Sequence, residues 1–257
     1  MSFLPKEVSL KADSGAAWAG QVTDFFRFPH TPHIAWLAAG EPRDDKVLSS
    51  KEAAELLHAD VVVEEKLDGA NLGISISPDS ELRVQNRGQY LHAPYAGQFA
   101  RLPDWLLLHG EKLRAALAAN DSGGLMLFGE WCAARHSLGY DRLPDWFLLF
   151  DVYDRSQGRF WSAPRRNALA AALGLVTVPR LLEGRFTLPQ LKDALVGQHS
   201  QFRQGALEGI VIRRESAEWC EARAKLVRPD FTQAIGEHWS RRRIEWNRLG
   251  RSHANMS

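Results

Sequence analysis

The segment Glu64-Glu65-Lys66-Leu67-Asp68-Gly69-Ala70-Asn71 sets a lysine at the end of the β-branched run Val61-Val62-Val63 and just before an Asp-Gly turn signal. A lysine at a strand end beside a tight turn points into a cleft rather than along a helix surface. Its amine is a nucleophile only when neutral, and burial, nearby cations or a metal-bound substrate can lower its pKa enough for that. Read alone, Lys-x-Asp-Gly is equally a hairpin with a solvated lysine. Six further positions carry polar or aromatic groups of chemical interest. Arg87 stands in a turn (Gln85-Asn86-Arg87-Gly88-Gln89), Glu130 closes the strand-like Leu125 to Trp131, and Phe150 lies in the apolar run Phe147-Leu148-Leu149-Phe150. Glu208 precedes Gly209-Ile210-Val211-Ile212, and Arg223 and Lys225 alternate along Arg223-Ala224-Lys225-Leu226-Val227, which puts both on one face of a strand. Each of these alone reads as ordinary turn, core or strand-end chemistry.

The elements that must position them follow from pattern. Ser49 to His58 reads as a short capped helix after a loop-rich lead-in marked by Phe28, Pro29, Pro32 and Pro42. Val61 to Glu65, Leu72 to Ser77 and Glu81 to Gln85 read as consecutive strands separated by Asp-Gly and Pro-Asp-Ser turns. Helical periodicity at Leu106 to Ala119, Pro164 to Leu173 and Leu188 to Val196 is interleaved with strands at Leu125 to Trp131, Trp146 to Tyr153, Leu207 to Arg213 and Ala222 to Val227. Asp230 to Leu249 predicts a final helix. Strands and helices mix without strict alternation, so the expected class is α+β with a mainly antiparallel sheet and flanking helices. The pentapeptide Arg-Leu-Pro-Asp-Trp occurs at 101–105 and again at 142–146, but its neighbours differ in type and no structural repeat is expected.

Taken in order, these residues resemble the motif series of the covalent nucleotidyltransferases, which include ATP-dependent DNA ligases, RNA ligases and messenger-RNA capping enzymes. Lys66-Leu67-Asp68-Gly69 resembles motif I, and Arg87 looks like the arginine that follows it and contacts the adenylate and the 5′ end in the RNA ligase 2-like branch. Phe128-Gly129-Glu130-Trp131 resembles motif III, the 147–152 run motif IIIa, Glu208-Gly209-Ile210-Val211-Ile212 motif IV and the 223–227 strand motif V. The matches run from 66 to 227, about two thirds of the chain.

The resemblance implies a nucleotidyltransferase domain of the ATP-grasp-like ligase adenylation type and a three-step reaction. Lys66 would take AMP from ATP with loss of pyrophosphate, pass it to a polynucleotide 5′-phosphate, and a 3′-hydroxyl would displace it. Lys66, Glu208 and Lys225 would be catalytic. Glu65, Lys66, Asn71, Arg87, Glu130, Phe150, Arg223 and Lys225 would bind the nucleotide, with Phe150 on the adenine face and Phe147 as its substitute. Glu130, Glu208 and Asp68 would hold Mg²⁺ or Mn²⁺. Such in-line displacements at phosphorus ask for positioning and charge neutralisation, which this inventory supplies.

Length and composition bound the rest. A chain of 257 residues with 45% hydrophobic residues can bury a full core. Its formal net charge of +1 gives no global pull toward nucleic acid, so binding would rest on local patches. One candidate patch gathers Arg213, Arg214, Arg223, Lys225, Arg228 and Arg241-Arg242-Arg243 beside Trp239 and Trp246. The competing reading buries both tryptophans under an amphipathic helix. His30 and His33 lie close together, but a proline-stiffened loop near the nucleotide pocket is the better reading than a metal pair. Cys132 and Cys220 make no disulfide framework, and neither a signal segment nor a long apolar run is evident, so a soluble cytoplasmic protein is expected.

Only 32 residues follow Lys225, too few for the oligonucleotide-binding (OB) fold of DNA ligases and capping enzymes. The expected layout is therefore a lead-in (1–60) packed on the core, an adenylyltransferase core (61–228) and a helical tail (229–257), all one structural domain without a C-terminal OB-fold. The RNA ligase branch is favoured, with RNA as the polynucleotide partner and an end-healing enzyme or other partner protein as a possible associate. A DNA nick-sealing ligase and a catalytically inactive nucleotide- or RNA-binding module that needs a partner are the alternatives.

Overall fold

The computed structural model describes residues 25–42, 46–119, 124–233 and 243–250. Its first helix, α1 (Ser50–Leu57), begins at a capping box: the Glu52 backbone N–H donates to Ser49 Oγ at 3.2 Å, and the Ser49 backbone N–H donates to Glu52 Oε2 at 2.8 Å. An N-cap of this kind contributes about 1 kcal/mol. Strands β1 (Val61–Lys66), β2 (Ala70–Ile76), β3 (Leu82–Gln85) and β4 (Tyr90–Leu91) come next, followed by α2 (Leu102–Ala118). After β5 (Leu125–Trp131), β6 (Phe147–Asp154) and β7 (Arg159–Phe160) comes α3 (Ala163–Leu173), ended by Gly174 in the left-handed conformation. Then follow β8 (Val176–Thr177), β9 (Arg180–Gly184), α4 (Leu188–Gly197), β10 (Gly209–Glu215), β11 (Cys220–Val227) and α5 (Pro229–Gln233).

The strands form two sheets, one ordered β11-β10-β1-β9 and the other β4-β3-β2-β5-β6-β7 with β8 added parallel to β6. All other pairings are antiparallel, in line with the α+β class read from the sequence. Helices α2 and α3 cover the larger sheet through Leu72, Ile74, Leu102, Trp105, Leu113 and Phe147. Helices α1 and α4 cover the smaller one through Leu56, Val63, Leu191, Leu195, Ile210 and Leu226. Strands β1 and β2 are neighbours in sequence yet belong to different sheets, so the three-residue turn between them crosses from one sheet to the other. That crossing carries Leu67, Asp68 and Gly69.

The outer edge of β11 is covered by the proline loop. Lys225 N–H donates to Pro32 O at 2.8 Å and Ile34 N–H donates to Lys225 O at 2.9 Å. Pairing of this kind satisfies backbone groups that an open sheet edge would leave exposed.

The expected final helix is corrected by the structure. Helix α5 is present at Pro229–Gln233, residues 234–242 lie outside the described residues, and 243–250 run extended, bridging at Ala134↔Trp246 and Leu143↔Leu249. The physical reason lies in the loop between β5 and β6, whose backbone groups find partners there. Arg135 N–H donates to Glu245 O at 2.8 Å and Leu143 N–H to Arg248 O at 3.0 Å, while Asn247 N–H donates to Ala133 O at 3.0 Å. Tertiary hydrogen bonds thus override local helical propensity.

The two Arg-Leu-Pro-Asp-Trp copies differ in conformation, as expected, but meet in space: Trp105 Nε1 donates to Asp145 Oδ1 at 2.9 Å and Arg101 stacks over Trp146 at 4.8 Å. Among the described residues no helix is long and apolar enough to cross a membrane.

Candidate active site

Lys66 ends β1 opposite Gly209 of β10, so the residue before Gly209, Glu208, comes alongside the lysine. Lys66 Nζ donates to Glu208 Oε1 at 2.6 Å. Alternation along the strands sends Glu64, Lys66, Val211, Arg213, Arg223 and Lys225 to one face of the small sheet, with Val211↔Lys225 and Arg213↔Arg223 paired across β10 and β11. The opposite wall comes from the large sheet, where Asn71 and Glu130 face each other across β2 and β5. Between the walls lies a cleft of about 600 Å³, lined by Glu65, Lys66, Asn71, Arg87, Glu130, Phe150, Arg223 and Lys225 among others. That volume is within the usual range for small-molecule sites.

The turn from Lys66 into β2 is held from several sides. Gly69 N–H donates to Glu130 Oε1 at 2.9 Å, and Asp68 N–H donates to Tyr140 Oη at 2.9 Å. A Cβ at position 69 would stand 2.6 Å from Trp131 O, so only glycine allows this approach. Asp68 Oδ2 accepts the N–H groups of Ser137 and Leu138, each at 2.7 Å.

The electrostatics centre on carboxylates around one ammonium. Burial works against the Lys66 charge, but Glu208, then Glu130 and the hydrogen bond to Glu208 outweigh it and leave the pKa above the ordinary lysine value. Burial lifts the Glu130 carboxyl to about 7 against the pull of Lys66, and it raises Glu208 and Glu65 as well. The resting lysine is therefore a protonated, paired ammonium. Two buried acceptors, Asn71 Oδ1 and Glu208 Oε2, have no hydrogen-bond partner. Buried polar atoms are normally satisfied, so these two are acceptors aimed at something the protein does not itself provide.

Phe150 reaches the cleft because of a β-bulge. The β5–β6 register slips between Phe128 and Gly129, which leaves Phe150 without a partner between Leu149 and Asp151. Its ring is half-buried, lines the cleft and meets Phe28 edge-on at 5.3 Å. The bulge is anchored by Arg166 of α3, whose NH1 donates to Phe150 O at 2.6 Å and whose NH2 donates to Glu64 Oε1 at 2.5 Å. A parallel link joins the sheets through Asp151, which accepts from Arg213 NH1 at 2.6 Å and from Arg223 NH1 at 2.5 Å.

Nine of the ten residues singled out from sequence thus converge: eight line the cleft and Glu208 is bonded to Lys66. The tenth, Asp68, does not line the cleft, and its Oδ2 accepts the 137 and 138 amides. Phe147, the substitute for the adenine face, is fully buried in the α2–α3 core, because β6 alternation turns it away from the cleft.

The expected basic patch is broken up. Arg213 is 1% exposed and pairs with Asp151 and Glu215, Arg214 reaches Glu55 at 3.7 Å, and Arg228 reaches Asp230 at 3.3 Å. Trp246 is 37% exposed with Arg101 stacked over it at 4.5 Å, while Trp239, Arg241 and Arg242 lie outside the described residues.

Sequence reasoning missed Glu64, Gln98, His136 and Asp151, all of which line the cleft. His136 Nε2 and Gln98 Oε1 lie 2.8 Å apart, and burial holds the imidazole pKa below its usual value. No sequence signal marks either residue. Asp151 could have been suggested by its place next to Phe150.

No three carboxylate, histidine or cysteine groups among the described residues form a ready metal cage. Glu130 and Glu208, with the orphaned Glu208 oxygen, still suit a divalent cation that takes its remaining ligands from phosphates and water. The open Phe150 ring, the orphaned Asn71 oxygen and the Arg223 and Lys225 side chains suit a nucleotide's base, hydroxyl and phosphate groups in the same cleft.

Comparison with the curated proteins finds no match. Among solved structures, the fold recurs in Naegleria gruberi RNA ligase. An arginine-to-alanine mutant of that protein with ATP and Mn is 21% identical with a TM-score of 0.58, over 72% of this chain and 54% of the other. The same ligase with PPi is 19% identical with a TM-score of 0.57, over 82% and 64%, and a glutamate-to-alanine mutant with ATP and Mn gives 20% and 0.55, over 73% and 55%. This chain therefore spans less than two thirds of the length of those proteins, and the likeness at such identities is one of fold. The RNA ligase family model matches residues 59–227, the stretch that holds β1 to β11 and all ten residues singled out from sequence. The chain belongs to the RNA ligase family.

Proposed function

We propose that the protein is an ATP-dependent RNA ligase that works through an AMP-bearing lysine. The observation that carries this reading is Lys66 Nζ, held 2.6 Å from Glu208 Oε1 at the crossing between two sheets and facing a cleft with unfilled acceptors. The Lys66 amine would attack the α-phosphorus of ATP, forming an N–P bond as the bond to pyrophosphate breaks. Its proton must leave first, and Glu208 Oε1 is the acceptor already in place. Phe150 would stack on the adenine, Asn71 would bond a ribose hydroxyl or phosphate, and Arg223 and Lys225 would meet phosphate oxygens. Glu130 and Glu208 would hold Mg²⁺ or Mn²⁺, which supplies positive charge beside the phosphates. AMP would then pass to a polynucleotide 5′-phosphate, and a 3′-hydroxyl would displace it to form the phosphodiester bond, with Arg87 at the cleft mouth placed to meet the 5′ end.

Incubation with ATP and a divalent cation, followed by intact-mass measurement, tests the reading. The wild type should gain one AMP and Lys66→Ala none. Absence of the adduct across metals and pH would leave a nucleotide- or RNA-binding module without catalysis. RNA preference is tested on nicked duplexes whose 3′-hydroxyl strand ends in ribose or deoxyribose, and equal sealing of both would refute it.

A further inference from the structure

The nucleophile's turn is tied to the 243–250 segment through a chain of hydrogen bonds that is buried at its Asn247 end. Asn247 is 4% exposed and uses both ends of its amide: Oδ1 accepts the Tyr140 N–H at 2.8 Å, and Nδ2 donates to Cys132 O at 2.8 Å and Ala134 O at 3.2 Å. These bonds fix the β5–β6 loop at both of its limbs. Tyr140, 3% exposed, turns its hydroxyl to the Asp68 N–H at 2.9 Å, and Asp68 returns two bonds to the amides of Ser137 and Leu138 in the same loop. Lys66 lies two residues before Asp68, and the next residue after it, Gly69, donates to Glu130.

We propose that Asn247 is a positioning residue for Lys66, acting through Tyr140 and Asp68, and that the extended 243–250 segment is thereby part of the adenylation apparatus. Asn247 and Tyr140 are both buried and do not line the cleft, which places them to act through the loop and not on the nucleotide. No other residue type of this size supplies one acceptor and two donor bonds in the same plane. Aspartate would set a carboxylate against the carbonyls of Cys132 and Ala134, and alanine would leave three buried groups without partners. A loosened loop releases the Asp68 carboxylate and amide together, and Lys66 then loses the fixed approach that in-line attack requires.

The inference rests on the ligase reading, and the test separates the two. Full-length wild type, Asn247→Ala, Tyr140→Phe and the double variant are compared in single-turnover adenylation with ATP as the varied substrate, and by amide hydrogen exchange. Each single variant should lower the rate at saturating ATP about tenfold or more, with KM for ATP changed less than about twofold. The double variant should be little worse than the poorer single, because both act along one path. Exchange should rise at 67–70 and 137–140 but not at 210–214 of β10. Arg185→Ala, which removes an exposed partner of Asp60 away from the cleft and from the 243–250 segment, should leave rate and exchange unchanged.

Unchanged rates, a loss confined to KM, additive effects, or exchange that rises equally in β10 would each overturn the proposal. Should Asn247→Ala fail to fold, Tyr140→Phe carries the same comparison. A wild type that forms no adduct refutes the ligase reading alone, and the exchange pattern then decides whether Asn247 holds the turn.

Discussion

Replacing Arg166 with methionine tests how the two sheets are locked beside the cleft. The Arg166 and Glu64 side chains are 1% and 2% exposed, and methionine keeps much of the aliphatic stem while removing the guanidinium. Glu64 then loses bonds of 2.5 and 3.2 Å and, among the described residues, is left with the Arg213 Nε pair at 3.9 Å. Phe150 O falls back on Arg213 NH1 at 3.4 Å. Breaking one partner of a buried pair typically costs about 3–5 kcal/mol, and a weakened buried carbonyl adds roughly 1 kcal/mol. A total near 5 kcal/mol is a large part of the roughly 5–15 kcal/mol that holds a domain together. Arg166→Met/Glu64→Gln removes the stranded charge as well and should recover about 2 kcal/mol.

Equilibrium urea unfolding at constant m reads both values. The same single variant should raise the KM for ATP in adenylation, because the bulge that presents Phe150 loses its anchor. A single-variant cost below about 1 kcal/mol, or a double variant no more stable than Arg166→Met, would refute the account of a charge-locked junction.

Three further outcomes follow from the site. Phe150→Ala should raise the KM for ATP about 2- to 10-fold with little loss of stability, whereas Phe147→Ala should cost about 3–5 kcal/mol of stability, and steady-state kinetics beside thermal melts would show a reversed pattern if the bulge were misassigned. Gly69→Ala drives a methyl to 2.6 Å from Trp131 O, so it should abolish the AMP adduct and destabilise by about 1–3 kcal/mol; a normal adduct by mass would contradict the tight crossing. Glu130 holds its proton up to about pH 7 in the fold against 4.5 for an ordinary glutamate, so the folded state binds the proton better and stability should fall as pH rises through that interval. Glu130→Gln, which keeps an acceptor for Gly69 N–H, should show a flatter Tm against pH there, and equal slopes would exclude Glu130 as the source.

Much of this arrangement was legible because it is written locally. The β-branched Val61–Val63 run, the Asp68-Gly69 turn and the alternating Arg223 and Lys225 fix strand, turn and face within a few residues. Phe150 was distinguishable from Phe147 only by position in the resemblance, since the bulge that frees it comes from register against β5, a property of two strands rather than one. Arg213 reads as a surface base in sequence and is buried, because its partners Asp151 and Glu215 come from a distant strand and from two residues onward on its own. The Asp230 to Leu249 stretch has helical periodicity without a breaker until Gly250, but the unpaired backbone of the β5–β6 loop claims its end. The metal role expected of Asp68 came from the resemblance, and the bonds of its Oδ2 to amides 69 and 70 residues away have no local signal in the sequence.

The position of β1 in its sheet has a consequence for how the protein comes into being. Both strands that flank β1, β9 and β10, lie far later in the chain, and the Lys66–Glu208 contact spans 142 residues. Closing loops of that length makes assembly of the small sheet slow and late compared with the local β2–β3 hairpin. During synthesis, a ribosome-bound chain that has released Lys66 holds an amine with neither its Glu208 counter-ion nor the β10–β11 wall of the cleft. On the proposed ligase reading, Lys66 would therefore stay silent until the second half of the chain has emerged, and half-made protein would not consume ATP.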